Sequence, residues 1–250
     1  MANQNFLNID EVKKCNLKII SKIISLIENN DKQISPFIKE LKKIKSKSFV
    51  IGITGSPGTG KSTLTDKIAS KLLKENQKVA ILAVDPSSPY TNGAVLGDRI
   101  RMTNAFENGA FIRSLASRGS LGGLSKAVPN SLKVLAAAGF DYIIVETVGV
   151  GQAEVEIMKY CDLCLLLLVP GLGDSVQQFK AGILEIADIY ILNKADKDGI
   201  LQLEKELTEM LSLETKFANK PKKYLKTIAT EGVGISEVIE KILGWRCYKT

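Results

Sequence analysis

Histidine is absent from the 250 residues, so imidazole can neither ligate a metal nor move protons in this chain. Cysteine is scarce. Cys15, Cys161, Cys164 and Cys247 do not form an extracellular-style disulfide framework at this length. The only C-x-x-C, Cys161-Asp162-Leu163-Cys164, opens a strongly apolar segment, where cysteines are expected to be core residues. It offers at most two thiolates, whereas tetrahedral zinc usually takes four ligands. Long apolar runs are also missing. Leu163 to Val169 is the most apolar stretch and is far too short to span a bilayer. The opening MANQNFLNIDEVKK has no apolar signal core, so the expectation is a cytoplasmic protein with no membrane partner. The net charge of +7 is spread over scattered lysines and comes with no nucleic-acid-binding motif, so no nucleic-acid partner is expected.

What is present is an alternation of apolar segments. Residues 10–46 read as helical, with Leu17, Ile20, Ile24 and Ile27 at helix spacing, then Ile34, Ile38 and Leu41. Asn29-Asn30-Asp31 reads as the turn between them. A polar link, KSKS at 45–48, comes next. The pattern predicts two parts: a helical extension over 1–47 and an α/β domain over 48–250. In the second part, candidate strands at 49–54, 78–84, 141–147, 163–169, 188–193 and 224–229 are separated by helical stretches, one of them over 61–74. Strands apolar on both faces and separated by helices predict a mainly parallel sheet with helices on both faces.

The first strand, FVIGIT, runs into Gly55-Ser56-Pro57-Gly58-Thr59-Gly60-Lys61-Ser62-Thr63. This is G-x-x-x-x-G-K-[ST] between a strand and a helix, the setting that a phosphate-binding P-loop requires. Glycines let the backbone aim N–H groups inward, and the helix N-terminus attracts phosphate oxygens. Lys61 is placed to reach the terminal phosphates and Ser62 to offer its hydroxyl to Mg²⁺. The fold expected is that of P-loop NTPases.

The base is chosen further on. Asn193-Lys194-Ala195-Asp196 comes after the apolar ADIYIL and resembles the guanine motif of GTPases. The Asp196 carboxylate can accept from the guanine ring N–H and exocyclic amine, a donor pair that adenine lacks. Ala229, after YLKT, takes the place of an alanine whose N–H meets the guanine carbonyl. Asp85 ends VAILAV, and Glu146 ends YIIV and opens Glu146-Thr147-Val148-Gly149. Acidic residues at strand ends beside a P-loop are expected to hold Mg²⁺ directly or through water, and the Gly149 N–H is a candidate γ-phosphate sensor. No glutamine directly follows Gly149; Gln152 comes three residues later. Asp98 lies in the charged LGDRIRM. Gly171-Leu172-Gly173-Asp174 with Lys180 is a candidate second mobile element. Arg99, Arg101, Arg113 and Arg118 are candidates for phosphates or a partner.

Taken together, GITGSPGTGKSTL, AVDPSSP, GDRIRM, FIRSLASRGSLGG, ETVGVGQAE, GDSVQQFKAGILEIAD and NKAD resemble the MeaB/ArgK-type GTPases from about Leu17 to Ile242. The resemblance implies GTP hydrolysis to GDP and phosphate, with GTP/GDP and Mg²⁺ as ligands. It also implies a chaperone role toward an adenosylcobalamin-dependent acyl-CoA mutase such as methylmalonyl-CoA mutase, gating cofactor loading and protecting the mutase. It groups Ser62, Asp85, Asp98 and Glu146 around the metal, gives Lys61, Glu146 and Lys180 catalytic roles, and places Lys180 in an extra switch loop. A homodimer is carried as an expectation without the C-terminal arm that family members use, since the chain ends at Thr250 soon after GISEVIEKILGW. Two alternatives stand beside this. A nickel-insertion GTPase of hydrogenase or urease maturation shares the fold class but carries metal on His and Cys. A nucleotide-dependent kinase shares the P-loop but not NKAD.

Overall fold

The computed structural model describes residues 7–44, 46–85, 102–116, 121–147, 152–171, 186–215 and 223–249. Seven strands form one sheet: β1 (Phe49–Gly55), β2 (Val79–Asp85), β3 (Phe111–Ala116), β4 (Tyr142–Glu146), β5 (Leu163–Leu168), β6 (Ile189–Asn193) and β7 (Lys223–Thr227). Their order is β3-β2-β4-β1-β5-β6-β7, and every neighbouring pair is parallel. Strand β1 is central. Its end lies between the ends of β4 and β5, at the point where the strand order changes direction, and ligands collect there in open parallel sheets.

The period of two in the strands sorts side chains to two faces. Ile51 and Ile53 of β1, Ile81 of β2 and Ile144 of β4 join a core with Leu64, Ile68 and Leu72 of α4 (Lys61–Lys74) and with Val238, Ile239 and Ile242 of the last helix, Ile235–Lys249. On the opposite face, Leu82, Val84, Ile143 and Val145 pack against Val128, Leu132 and Leu135 of the helix Leu121–Ala137. Leu166, Leu168, Tyr190 and Leu192 lie beneath Leu203 and Leu207 of the helix Ile200–Thr215.

The N-terminal helices α2 (Leu17–Glu28) and α3 (Ile34–Leu41) form where the apolar spacing places them, and a separate short helix, α1 (Ile9–Lys13), precedes them. Asn16 caps α2 through its side chain, and Asn30 takes φ +54° in the turn after it. Ile20, Ile24, Ile27, Phe37 and Leu41 are buried in the same core as Leu82, Leu115 and Leu135. The helical layer is therefore laid on one face of the sheet and shares its interior.

Strand β3 was not among the six strands expected from the sequence. FIRSLA carries Arg113 and Ser114 in its middle, so it lacks the run of apolar residues that marks the others. It is an edge strand, paired on one side only among the described strands. Its Arg113 is partnered from outside the sheet: the guanidinium donates to Ser25 Oγ at 3.0 Å and Glu28 Oε2 at 3.1 Å on α2. A charged residue fits the strand because an N-terminal helix supplies its partner.

Candidate nucleotide site

The P-loop begins where β1 ends. Gly55 takes φ +148°, and a Cβ there would lie 2.5 Å from the Leu167 carbonyl oxygen of β5, so the residue that starts the loop has no room for a side chain. Thr59 is buried and donates through Oγ1 to Ser56 O at 2.8 Å, bracing the turn from inside. Gly60 precedes α4 with φ +92°; a Cβ there would sit 2.5 Å from Asn193 Nδ2.

Lys61 is only 7% exposed. Its ammonium donates to Gly55 O at 2.7 Å and Ser56 O at 3.1 Å, which places the charge inside the curve of the loop, where phosphate oxygens would lie. The next residue, Ser62, donates through Oγ to Glu146 Oε1 at 2.6 Å. Glu146 ends β4, is 7% exposed, and so brings a carboxylate to the first turn of the P-loop helix. Just beyond it, Thr147 continues the pairing of β4 with β1: its N–H donates to Ile53 O at 3.1 Å and its hydroxyl to Thr54 Oγ1 at 3.0 Å.

Asn193, the last residue of β6, ties this loop to the other half of the site. Its Nδ2 donates to Thr59 O at 2.8 Å. Its Oδ1 accepts from Thr227 Oγ1 at 2.9 Å and from the Ala229 N–H at 3.1 Å. Three of the four hydrogen bonds available to an amide are thus made to the P-loop and to the chain leaving β7. Lys194 then takes φ +56°, a left-handed turn that a non-glycine residue adopts at a cost of about 1 kcal/mol. It sends the chain out of the sheet, and the Ala195 N–H donates back to Thr227 O at 3.1 Å. Asp196 is exposed on this turn and pairs with Lys197 Nζ at 3.1 Å. Hydrogen bonding from Lys197, supported by its own backbone N–H and the charge of Lys194, holds the Asp196 carboxyl below its usual pKa.

Among the residues expected at the site, the structure brings together the loop from Gly55 to Thr63 with Glu146, Asn193 and Ala229, and places Lys194 and Asp196 on the turn just past Asn193. Asp85 ends β2, two residues past Ala83, which is the register partner of Glu146. Asp98, Gly149 and Lys180 lie outside the described residues, as do Arg99, Arg101 and Arg118. Arg113 is taken up by Ser25 and Glu28 in the middle of β3. Sequence reading missed Thr227 and Thr147. The signal for Thr227 was its position: it closes its strand and is the register partner of Asn193.

A phosphate-type loop bonded through one asparagine to a guanine-type turn, on a parallel sheet of this order, places the chain among the P-loop GTPases. The comparisons narrow the class. The family model for "Methylmalonyl Co-A mutase-associated GTPase MeaB" matches residues 20–250, and the chain belongs to that family. It is 48% identical over 239 residues to a protein of Pyrococcus horikoshii provisionally named a GTPase, covering 94% of this chain and 75% of that protein. It is 46% identical over 150 residues to the GTPase ArgK of Escherichia coli, covering 60% of this chain and 45% of ArgK. A crystal structure named as a LAO/AO transport system kinase superposes with a TM-score of 0.77 at 26% identity, covering 99% of this chain and 77% of that one.

Proposed function

We propose that this GTPase binds GTP with Mg²⁺, hydrolyses it at the end of β1, and uses the cycle to gate adenosylcobalamin loading of an acyl-CoA mutase such as methylmalonyl-CoA mutase. The observation that carries the nucleotide part is the Asn193 clasp. Because one side chain bonds the P-loop at Thr59 and the β7 end at Thr227 and Ala229, phosphate and base recognition are set at a fixed separation. A nucleotide requires its phosphate and base contacts to be held at a fixed separation.

The residues divide the work by chemistry. Backbone N–H groups of the loop from Ser56 to Lys61 and the start of α4 hold phosphate oxygens. Lys61 exchanges its loop carbonyls for the terminal phosphates, and its charge offsets the negative charge that develops during transfer to water. Asp196 selects guanine, and Asn193 with Lys194 shapes the turn that presents it. The donor set beside the loop also fits magnesium: Ser62 Oγ and Glu146 Oε1 are oxygen atoms already 2.6 Å apart, and Mg²⁺ takes one or two such protein ligands beside phosphates and waters. Ser62 and Glu146 would hold it, with Asp85 and Asp98 as the further acidic candidates. When bound, the ion neutralises charge on the phosphates. Gly149 is assigned γ-phosphate sensing from its place in Glu146-Thr147-Val148-Gly149, and Lys180 a catalytic role in an extra switch loop from the family resemblance.

The mutase part is supported by the family's description as mutase-associated. The helices before Ser48 form an extension laid on a GTPase domain in this reading. No helix among the described residues is long and apolar enough to cross a membrane. The cytoplasm is the compartment assigned in this reading. The test is to mix the chain with an adenosylcobalamin-dependent acyl-CoA mutase and follow complex formation and cobalamin transfer with GTP, with GDP and without nucleotide. A transfer rate that differs between GTP and GDP is the expected result. The absence of both a complex and any nucleotide dependence would sink the chaperone role and leave the GTPase reading untouched.

A further inference from the structure

Two buried hydroxyls stand beside the proposed site and have no part in the chemistry above. Thr54 is the last side chain of β1 before Gly55 opens the P-loop, and it is fully buried. Thr147 directly follows Glu146 and is 2% exposed. The Thr147 hydroxyl donates to Thr54 Oγ1 at 3.0 Å, and its N–H donates to Ile53 O at 3.1 Å. Ile53 is the register partner of Glu146, so the two threonines meet one position further along β1 and β4. Side chains alternate between the faces of a sheet. Glu146 falls on the face of Ile144, which packs with Leu64 and Ile68 of α4, and there it meets Ser62. Thr147 falls on the other face, with Val145. The backbone from Glu146 to Thr147 is therefore held from both sides of the sheet, by Ser62 through one side chain and by Thr54 through the other.

We propose that Thr147, through its bond to Thr54, is a positioning residue for the Glu146 carboxylate in its role toward Mg²⁺. The proposal rests on the magnesium reading given under the proposed function. Two observations lead to it. The bond joins the residue before the P-loop to the residue after the carboxylate. It thus fixes, through adjacent peptide bonds, the spacing between the two parts that meet at Ser62 and Glu146. The second observation is the chemical type. A pair of valines would fill the same volume without needing to be hydrogen-bonded, whereas buried hydroxyls must be. What hydroxyls add is close approach. The two oxygens stand 3.0 Å apart, whereas methyl carbons pack at about 3.5–4.0 Å. The pair therefore draws the chain after Glu146 toward β1 by roughly 0.5–1 Å more than apolar side chains would. Groups that orient a metal ligand from behind set metal affinity without touching the ion.

The test times the release of a fluorescent GDP analogue from the full chain over a range of Mg²⁺ concentrations. Affinity for the analogue in EDTA and the thermal midpoint are measured beside it. The variants are Thr147→Val, Thr147→Ser and the double variant Thr54→Val with Thr147→Val. Thr147→Val should raise the Mg²⁺ concentration that gives half the full change in release rate by about tenfold, with affinity in EDTA unchanged. Thr147→Ser keeps the hydroxyl and should restore the wild-type value. The double variant replaces both members of the bond by apolar groups of the same shape, so it should fold and still need more Mg²⁺. It decides the matter if Thr147→Val, which removes a donor from Thr54 Oγ1, does not fold. A wild-type Mg²⁺ requirement in a folded Thr147→Val, or in the double variant, overturns the proposal. A rise in that requirement matched by an equal loss of affinity in EDTA also overturns it. A wild-type chain that binds the analogue but whose release does not respond to Mg²⁺ removes the magnesium reading, and the proposal with it, and leaves nucleotide binding in place.

Discussion

The two ends of the proposed nucleotide site are built differently. At the proposed phosphate end, the lysine cation is buried: Lys61 is 7% exposed and already bonded to two loop carbonyls. At the base end, the Asp196 side chain is about a third exposed and its companion is a surface lysine, Lys197. Asn193 stands between them, 2% exposed, with bonds to both sides. Lys61 and Asn193 are thus both buried, and exposure rises only at Asp196. The phosphate end is part of the fold's interior, so changes there should alter folding and chemistry together. The proposed base end lies at the surface, so changes there should alter choice of nucleotide and little else.

The sharpest way to break this comparison is Lys61→Ala. It removes a buried charge aimed at the transferring group, and GTP hydrolysis should fall by about 10²- to 10³-fold, read by phosphate release; a rate near wild type would remove Lys61 from the machinery. Asn193→Ala should come next. It leaves the Thr59 carbonyl, the Thr227 hydroxyl and the Ala229 N–H without their partner, and chemical denaturation should show a loss of about 3 kcal/mol. Affinity for GDP and for xanthosine diphosphate should weaken together, because the clasp serves the frame and not the base. Asp196→Asn should do the reverse. Stability should stay at the wild-type value while preference moves from guanine toward xanthine by about tenfold or more, measured by competition against a labelled nucleotide.

The smallest effect separates the two ends by pH. The Asp196 carboxyl is held below its usual range, chiefly by hydrogen bonding from Lys197. Any contribution from a depressed carboxyl is present above its unfolded pKa and is lost as pH falls through the folded one. Guanine recognition should therefore persist as pH drops through the ordinary carboxylate range and fade only below it. Lys197→Ala should move that fading to higher pH, with affinity at neutral pH nearly unchanged. An acid limit that does not move would show that Lys197 has no hold on the carboxyl in solution.

Much of this site was legible in the sequence because its parts are local. A strand, a Gly-rich turn and a helix occupy consecutive residues from Phe49 to Lys74, and the α4 limits agree with the periodic pattern over 61–74. NKAD could likewise be read at a strand end, and β6 does end at Asn193. What the sequence could not carry is anything that depends on distant partners. Asn193 reads as a base-motif residue, yet its bonds fix the P-loop and the β7 end. Asp66 was not singled out in the sequence, yet it is buried and accepts two hydrogen bonds from the helix Thr103–Glu107. Strand β3 escaped notice for the same reason, since Arg113 is compatible with a strand only once Glu28 is beside it.

The bond from Asn193 to Thr59 has a consequence for how the protein is made. The two residues are 134 positions apart, and both strands flanking β1, β4 and β5, are also translated after it. On the ribosome, the loop sequence emerges early but has no clasp until β6 has left the exit tunnel. Productive capture of GTP therefore waits for a chain whose synthesis has passed β6. A cell that supplies guanine nucleotide to this protein during synthesis would be selecting, by mass action, for chains in which the late strands have already docked.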